Sequence, residues 1–325
     1  MNNRMFLSRP RQLEQKLAEW KEQAGDRLKL DYELSYSGHK VYAITLSDWS
    51  VPIEQKTAIY VAQPHAHEPA STAGIVDMIE QLVCGRTMTG CETKLDIEGV
   101  LAKTIVTFNP IGNPYGSERA PYDYYDGSSI TNNELWCIMR GEDPDRPGKM
   151  WHRFDVFDIR EVNTPDPIGI VYEPVDDFRY VEPNRSQLSS YFRLFRRMDD
   201  QFRYCYWINL HQTEFVNSNT QCQNFLPLKG LQSEDFARES MAWAEEITLA
   251  WQDAGYVTKP PVQMAYTGEQ ADYFRQNYGP IDKRLYRITT EVKNNGADFP
   301  PQQQMESTSL AIAVSLRRLC RKTHL

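Results

Sequence analysis

The spacing of apolar side chains switches repeatedly between helical and strand-like periods along the chain. In the segment 10–23, Leu13, Leu17 and Trp20 recur every three or four residues between charged side chains, which predicts an amphipathic helix. Similar patterns predict helices at 71–83, 186–203, 233–254 and 305–322. Short apolar runs predict strands at 40–46, 56–63, 102–109, 204–210 and 284–292. This alternation favours an α/β fold with a mixed, mostly parallel central sheet and helices on both faces.

The chain shows no sign of an internal boundary. It has no repeat, no low-complexity tract and no long linker. The Pro-, Gly- and Asp-rich segments 141–149 and 163–169 have the composition of surface loops within a domain. We therefore expect one domain over 1–325.

Composition and charge exclude some classes of partner. The net charge is −8 and the basic residues are scattered, which argues against nucleic acid or an anionic membrane as the main partner. No window reaches the roughly 18 apolar residues of a membrane span, and the N-terminus lacks the apolar stretch of a signal peptide. Six cysteines without a C-x-x-C pair favour free, mostly buried thiols and a cytoplasmic location. The oligomeric state is not indicated.

Three polar residues lie where predicted strands end. His65 and Glu68 follow the strand 56–63 in a loop that leads into a helix, and His211 ends the apolar run YCYWINLH. In open α/β sheets, binding sites lie beyond the carboxyl ends of strands. Zinc prefers imidazole and carboxylate ligands, and a catalytic site needs only three of them. A single strand-end histidine is more often a hydrogen-bonded structural residue, so the spacing alone leaves metal binding and a structural role both open.

An ordered series of motifs runs along the chain around these residues. It begins with the strand segment ELSYSGHKVYAITLSD (33–48) and continues with the strand, H-x-x-E loop and helix of KTAIYVAQPHAHEPASTAGIVDMIEQL. Shorter motifs follow downstream: NPYG (113–116), VEP (181–183) heading a helix, INLHQ (208–212) and RITTEV (287–292). This series resembles the zinc metallocarboxypeptidases, the family with the carboxypeptidase A/B fold. The similarity is strong at 33–85 and 205–213 and weak between 117 and 180. It suggests a divergent, bacterial-type member.

The resemblance implies a catalytic centre. One Zn²⁺ ion would be held by His65, Glu68 and His211, and Glu291 would act as general base on the metal-activated water. The reaction would be hydrolysis of a peptide or amide bond, and the substrate a peptide or an acyl amino acid. The alternative for Glu291 is a solvent-facing residue on an edge strand.

The arginines expected from the resemblance are harder to assign. The Asn-Arg-Asn-Trp motif that binds the substrate carboxylate in this family is not recognisable in this sequence. By order and approximate spacing, Arg153 would bind that carboxylate and Arg140 would help to hold the oxyanion. Four other arginines compete for these roles: Arg119, Arg146, Arg160 and Arg185.

Two further residues depart from the expected pattern. His67 occupies a position where many members carry arginine, and it would contact substrate, orient Glu68 or face solvent. Tyr266, in MAYTGEQADYF, is displaced by two residues from the expected place of a mobile substrate-binding tyrosine. Its alternative is a half-buried loop aromatic.

Three functions remain open from the sequence. The first is a zinc metallopeptidase of the carboxypeptidase type. The second is a small-molecule deacylase on the same fold, similar to succinylglutamate desuccinylase and aspartoacylase, which an absent carboxylate-binding arginine would favour. The third is a carboxypeptidase-like binding module without turnover. Four intact residues count against the third: His65, Glu68, His211 and Glu291.

Overall fold

A computed structural model describes residues 6–141, 156–161 and 169–321. The strands are β1 (Leu28–Leu34), β2 (Lys40–Leu46), β3 (Thr57–Ala62), β4 (Thr104–Asn109), β5 (Val156–Asp158), β6 (Glu173–Pro174), β7 (Arg179–Val181), β8 (Tyr206–Thr213), β9 (Cys222–Leu226), β10 (Val262–Gln263) and β11 (Tyr286–Lys293). The helices are α1 (Pro10–Ala24), α2 (Pro69–Cys84), α3 (Ile97–Lys103), α4 (Pro114–Arg119), α5 (Asn132–Arg140), α6 (Ser190–Phe202), α7 (Glu234–Asp253), α8 (Gly268–Asn277), α9 (Gly279–Asp282) and α10 (Pro301–Arg321).

Eight strands form the central sheet in the order β1-β2-β4-β3-β8-β11-β9-β10. The four central strands β4, β3, β8 and β11 run parallel, whereas β1 and β2 at one edge are antiparallel to their neighbours. Strand β9 pairs antiparallel with β11. A small antiparallel sheet of order β5-β7-β6 lies outside it. The mixed, mostly parallel sheet predicted from the sequence is confirmed.

Helices cover both faces of the sheet because its central strands are apolar on both sides. Side chains of α1, α2, α7 and α10 pack on one face, against Ile59 and Val61 of β3 and Ile208 of β8. Those of α6 and α8 pack on the other face, against Tyr60 and Trp207. Successive strand residues thus point into two separate cores, as the two-residue period of a strand requires. Within the described residues, no helix combines the length and apolar character that a membrane crossing needs.

The predicted helices and strands are confirmed with small shifts at their ends, and several elements were not predicted. The segment after β4 contains α4 and α5, and α8 begins two residues after Tyr266, which itself lies in a loop. Helix α5 begins with a capping box, in which Thr131 and Glu134 each accept a hydrogen bond from the other's backbone N–H. All six cysteines are unpaired, but only Cys222 is buried, so the expectation of mostly buried thiols was wrong.

Candidate metal centre and substrate cleft

Three adjacent parallel strands bring the candidate residues to one end of the sheet. Strand β3 ends three residues before His65, and it pairs with β8 so that Ala62 lies opposite Asn209. Strand β8 pairs in turn with β11, and in this register His211 lies directly opposite Glu291. Residues opposite each other in a parallel pair point to the same face of the sheet. The topology therefore places the two histidine-bearing segments and Glu291 beside the same cleft.

His65, Glu68 and His211 form a compact cluster. His65 Nδ1 lies 2.8 Å from Glu68 Oε1, His211 Nδ1 lies 3.0 Å from Glu68 Oε2, and the two Nδ1 atoms are 3.2 Å apart. All three side chains are buried. Glu68 immediately precedes α2, whose Pro69 occupies the first turn, so the helix begins at the cluster.

These three residues fit a zinc ion. Two imidazole nitrogens and a carboxylate are a donor set that zinc takes in catalytic sites, where a fourth position stays open. Ligand atoms around a tetrahedral zinc lie about 3.3 Å apart when the bonds are about 2.0–2.1 Å long. The separations of 2.8–3.2 Å within the cluster are slightly shorter than this. A small outward movement of the side chains would accommodate the ion.

The outer nitrogen of His65 is held by two oxygens. His65 Nε2 lies 3.0 Å from Glu182 Oε1 and 2.9 Å from Asn184 Oδ1, and both of those residues are buried. Two acceptors at Nε2 hold a ring proton there, so Nδ1, on the side of Glu68, is the nitrogen that can bind a metal in exchange for its own proton. A carboxylate behind a ligating histidine fixes its tautomer and raises its basicity in metal sites. His65 is therefore oriented as a metal ligand.

The outer nitrogen of His211 is held by an amide. His211 Nε2 lies 2.8 Å from the side-chain amide of Asn209, whose other end contacts the hydroxyl of Tyr191 at 2.9 Å. Ligation through Nδ1 requires the proton on Nε2, and hence the amide oxygen of Asn209 toward the ring. The Tyr191 hydroxyl can donate or accept, so it satisfies either orientation of the amide.

The ionisation states of the cluster residues depend on one another and on Glu182. Burial alone lowers the pKa of His65, yet Glu68 and Glu182 together raise it to about 10. Burial also opposes ionisation of Glu68, but His65 and His211 hold the pKa of that carboxyl well below its usual range. Burial lowers the pKa of His211, which favours its neutral form. A divalent cation that displaced the proton on His65 would meet an ionised Glu68 and a neutral His211, which are the forms that bind metal.

Glu291 lies beside the cluster. Its strand is flanked by β8 and β9, so the alternative of a solvent-facing residue on an edge strand was wrong. Glu291 Oε2 is buried and accepts no hydrogen bond from any residue in the described part of the chain. Burial and the negative charge of Glu68 raise the pKa of Glu291 well above its usual range. A carboxyl group in such surroundings takes up a proton readily.

The cleft has a volume of about 490 Å³ and extends from the cluster along β11. One wall is the turn at Pro183–Arg185, which contributes Asn184 and Arg185. The backbone carbonyl of Asn184 accepts hydrogen bonds from the hydroxyls of Tyr278 at 3.0 Å and Tyr273 at 3.3 Å. These two bonds fix the turn against α8 and the residue that follows it.

The guanidinium group of Arg185 lies in this wall. Its Nε atom is 3.5 Å from Glu182 Oε1, and the group lies 5.1 Å from the ring centre of Phe274. Glu182 thus contacts both His65 and Arg185 and links the arginine to the cluster of His65, Glu68 and His211.

The other candidate residues have different outcomes. Arg140, at the end of α5, lines the cleft with its guanidinium 6.0 Å from the ring of Trp136. Tyr266 lines the cleft too, against Phe274. His67 is buried beside the cluster, its ring stacked on that of His65 and its Nε2 3.3 Å from Glu68, so the solvent-facing alternative was wrong. Arg153 and its competitor Arg146 lie outside the described residues.

Sequence reasoning missed the turn at Glu182–Arg185. The segment VEP was assigned to a helix start, whereas its glutamate supports His65 and the following Asn184–Arg185 enters the cleft. The Asn-Arg dipeptide was a usable signal, because it is half of the carboxylate-binding motif named above. Of the four competing arginines, Arg185 lines the cleft, whereas Arg160 is exposed and pairs with Asp158, and Arg119 lies over the ring of Tyr115.

The same fold is found among solved protein structures, whereas comparisons of the sequence give no match. No protein-family model matches the sequence, and no curated protein sequence matches it. The structure is similar to a metallo-carboxypeptidase from Burkholderia cenocepacia, with a TM-score of 0.57 and 14% identity over 94% of this chain and 68% of that one.

Two eukaryotic structures are similar to the same degree. Carboxypeptidase A from Helicoverpa armigera gives a TM-score of 0.60 at 12% identity, covering 95% of this chain and 73% of the other. Bovine thrombin-activatable fibrinolysis inhibitor, solved with tick carboxypeptidase inhibitor, gives 0.57 at 12% identity and covers 96% of both chains. Identities this low establish architecture and leave activity to be argued from the site. The chain has the metallocarboxypeptidase fold.

Proposed function

We propose that this chain is a zinc-dependent metallopeptidase that hydrolyses the C-terminal peptide bond of its substrate. One observation carries the proposal: the His65–Glu68–His211 cluster, Glu291 and Arg185 all face one cleft. The first three would hold the ion, which when bound would polarise the scissile carbonyl and acidify a water molecule. The fold of the structural neighbours agrees with this chemistry.

The chain's own residues supply the remaining steps. Glu291 takes the proton of the attacking water on its buried carboxylate and returns it to the leaving amine. Arg185 binds the substrate's terminal carboxylate through its planar fork of N–H donors. In this proposal Arg185 takes the role that the sequence resemblance gives to Arg153. Arg140 stabilises the negative oxygen that develops at the scissile carbonyl. His67 and Tyr266 contact the bound peptide from the cleft wall.

An arginine in the cleft weakens the case for a small-molecule deacylase. That interpretation depends on the absence of a carboxylate-binding arginine, and Arg185, which lines the cleft, is a candidate for that residue. The unpaired thiols, two of them exposed, suit a reducing compartment, so the cytoplasmic location stays part of the proposal.

The proposal is tested with zinc-loaded protein and matched pairs of substrates. Each N-blocked dipeptide is supplied with a free and with an amidated C-terminus, together with N-acyl amino acids. We expect one zinc per chain and hydrolysis of the free-carboxylate peptides only. Cleavage of amidated and free peptides at equal rates would remove the exopeptidase assignment, and hydrolysis of N-acyl amino acids alone would establish the deacylase. A protein that binds no zinc would support the binding module.

A further inference from the structure

A buried arginine lies in the part of the cleft that the proposed chemistry does not use. Alternate residues of β11 point to one face, so Arg287 and Thr289 line the cleft together with Glu291. Arg287 precedes Glu291 by four residues, which is about 13 Å along a strand. The guanidinium therefore stands behind the metal cluster, at the inner end of the cleft.

The surroundings of Arg287 leave one edge of its guanidinium group for a ligand. Nε and Nη2 donate to the two carboxylate oxygens of Asp282 at 2.7 and 2.8 Å. The flat face lies 4.4 Å from the ring centre of Tyr278. Nη1 donates no hydrogen bond to any other residue in the described ranges, and the edge formed by Nη1 and Nη2 can take a second carboxylate bidentately.

The inner end of the cleft is lined by a positive charge, that of Arg287. Arg287 is 1% exposed and lines the cleft, whereas Asp282 is fully buried and does not line it. Among the described residues, the carboxylates that line the cleft are Glu68, Glu214 and Glu291, and they lie at the carboxyl ends of the strands, near His65 and His211. At the inner end of the cleft, the guanidinium group of Arg287 faces the cavity. Its counter-ion Asp282 lies on the side of Arg287 away from the cavity.

None of the other described residues that line this end supplies a competing charge. Phe225, Met264 and Tyr278 provide apolar walls, and Thr289 and Gln270 provide neutral polar groups. A purely structural ion pair contributes little, because apolar residues of similar volume often replace a buried pair without loss of stability. A pair that turns its cation toward a cleft can instead select a ligand.

Resting on the proposed function, we infer that Arg287 determines substrate specificity and that the substrate's C-terminal residue is acidic. Arg185 binds the α-carboxylate at the mouth of the cleft, and Arg287 binds the side-chain carboxylate of the same residue at the inner end. A terminal glutamate or aspartate satisfies both arginines. A terminal lysine or arginine places like charges together, and a terminal leucine leaves the guanidinium edge desolvated without a partner.

The test compares N-blocked dipeptides that end in glutamate, glutamine, leucine or lysine. With the zinc-loaded protein, we expect kcat/KM for glutamate to exceed that for glutamine at least tenfold, with leucine and lysine lower still. The variant Arg287→Gln alone leaves Asp282 buried without a partner and can fail to fold. The double variant Arg287→Gln/Asp282→Asn keeps two neutral groups of similar shape, and we expect it to cleave the glutamate and glutamine substrates equally.

A matched control changes an ion pair away from the cleft that joins a buried arginine to a half-buried glutamate. Arg318 pairs with Glu239 at 2.8 Å between α10 and α7. We expect the variant Arg318→Gln/Glu239→Gln to keep the preference for glutamate. Wild-type protein that prefers leucine or lysine, or an Arg287→Gln/Asp282→Asn variant that retains the preference for glutamate, would overturn the inference.

A binding measurement separates this inference from the proposed function. Calorimetric titration with free L-glutamate and L-glutamine needs no turnover. We expect glutamate to bind at least tenfold more tightly, and the Arg287→Gln/Asp282→Asn variant to lose the difference. If no peptide is cleaved but glutamate binds in this way, the proposed function fails and the acidic pocket stands. If peptides are cleaved without preference and the two amino acids bind equally, the proposed function stands and the pocket inference fails.

Discussion

The two sides of the cleft are built differently. On the sheet side, His65, Glu68, His211 and Glu291 follow or lie on three paired strands, and strand register sets their mutual positions. On the loop side, the turn at Pro183–Arg185 is held by side-chain hydrogen bonds from Tyr273 and Tyr278. In the proposed function, the residues that cleave the bond are therefore positioned by the backbone pairing of the sheet. The residue that would bind the substrate's terminus lies on a segment held by individual side chains.

The largest expected effect is on the sheet side, at the general base. Glu291→Gln removes the proton acceptor and keeps the shape, so we expect kcat/KM to fall about 10³-fold, within the usual range for general-base catalysis. Zinc content should stay at one ion per chain. Steady-state kinetics and metal analysis check this, with Glu22→Gln on the exposed face of α1 as the control. Full activity in a zinc-loaded Glu291→Gln protein would remove the general-base role.

The next effect concerns the support of the loop side. Glu173 of β6 is buried and accepts hydrogen bonds from Ser190 N and Oγ at the start of α6. Burial raises the pKa of Glu173 to about 7, from an ordinary value of 4.5. The native state therefore keeps a proton that the unfolded state releases. Stability from this group is complete below about pH 4.5 and is lost as the pH rises through 7, by about 3 kcal/mol in all.

Chemical denaturation between pH 4 and 9 measures this loss. In Glu173→Gln the side chain is neutral at every pH, so we expect the free energy of unfolding to be flatter across this range. If the free energy of unfolding rose from pH 5 to pH 8 with the same slope in the wild-type protein and in Glu173→Gln, Glu173 would not be the source of the pH dependence.

A smaller effect is expected at the carboxylate-binding arginine. Arg185→Lys keeps the charge and loses the planar fork, so we expect kcat/KM for free-carboxylate peptides to fall about 100-fold. Activity on an amidated peptide, already low, should stay unchanged. The ratio of the two rates is the measurement, and Arg160→Lys on the surface is the matched control. An unchanged ratio would assign the terminal carboxylate to a different residue.

The smallest expected effect couples the two sides. Glu182 contacts His65 from the loop side, so Glu182→Gln should weaken zinc binding about tenfold to 100-fold, as is usual for a group behind a metal ligand. Competition with a chromophoric chelator gives the dissociation constant. Glu173→Gln neutralises another buried carboxyl group near the same turn and should leave zinc affinity unchanged. Equal weakening in both variants would indicate a general loosening of the loop side.

The sequence predicted the sheet side well because its signals are local. An apolar strand followed by H-x-x-E, and another ended by His211, place the ligands without knowledge of distant contacts. The fold class followed from the same alternation of strands and helices. The loop side was hidden because it depends on pairing far along the chain: His65 and Glu182 are 117 residues apart. The two-residue β6 and three-residue β7 are too short to show a period.

Particular residues show the same limit. The sequence marks Arg287 only as the first residue of the RITTEV motif. Its position in the cleft could not be predicted, because Asp282 and Tyr278 from the preceding helix and turn hold its guanidinium group. Helix α8 is not predicted, because its residues 268–277 are mostly polar and begin with glycine. Tertiary packing against the aromatic cluster around Phe274 stabilises it.

The proposed function depends most directly on a metal ion bound by His65, Glu68 and His211 at the strand ends. The decisive measurement is a crystal structure of the zinc-loaded protein, with anomalous data collected on both sides of the zinc absorption edge. We predict one zinc peak within about 2.0–2.2 Å of His65 Nδ1, Glu68 and His211 Nδ1, with Glu291 beside the open coordination position. An anomalous map without a peak at this cluster, or with the metal held by His67 in place of His65, would contradict the account.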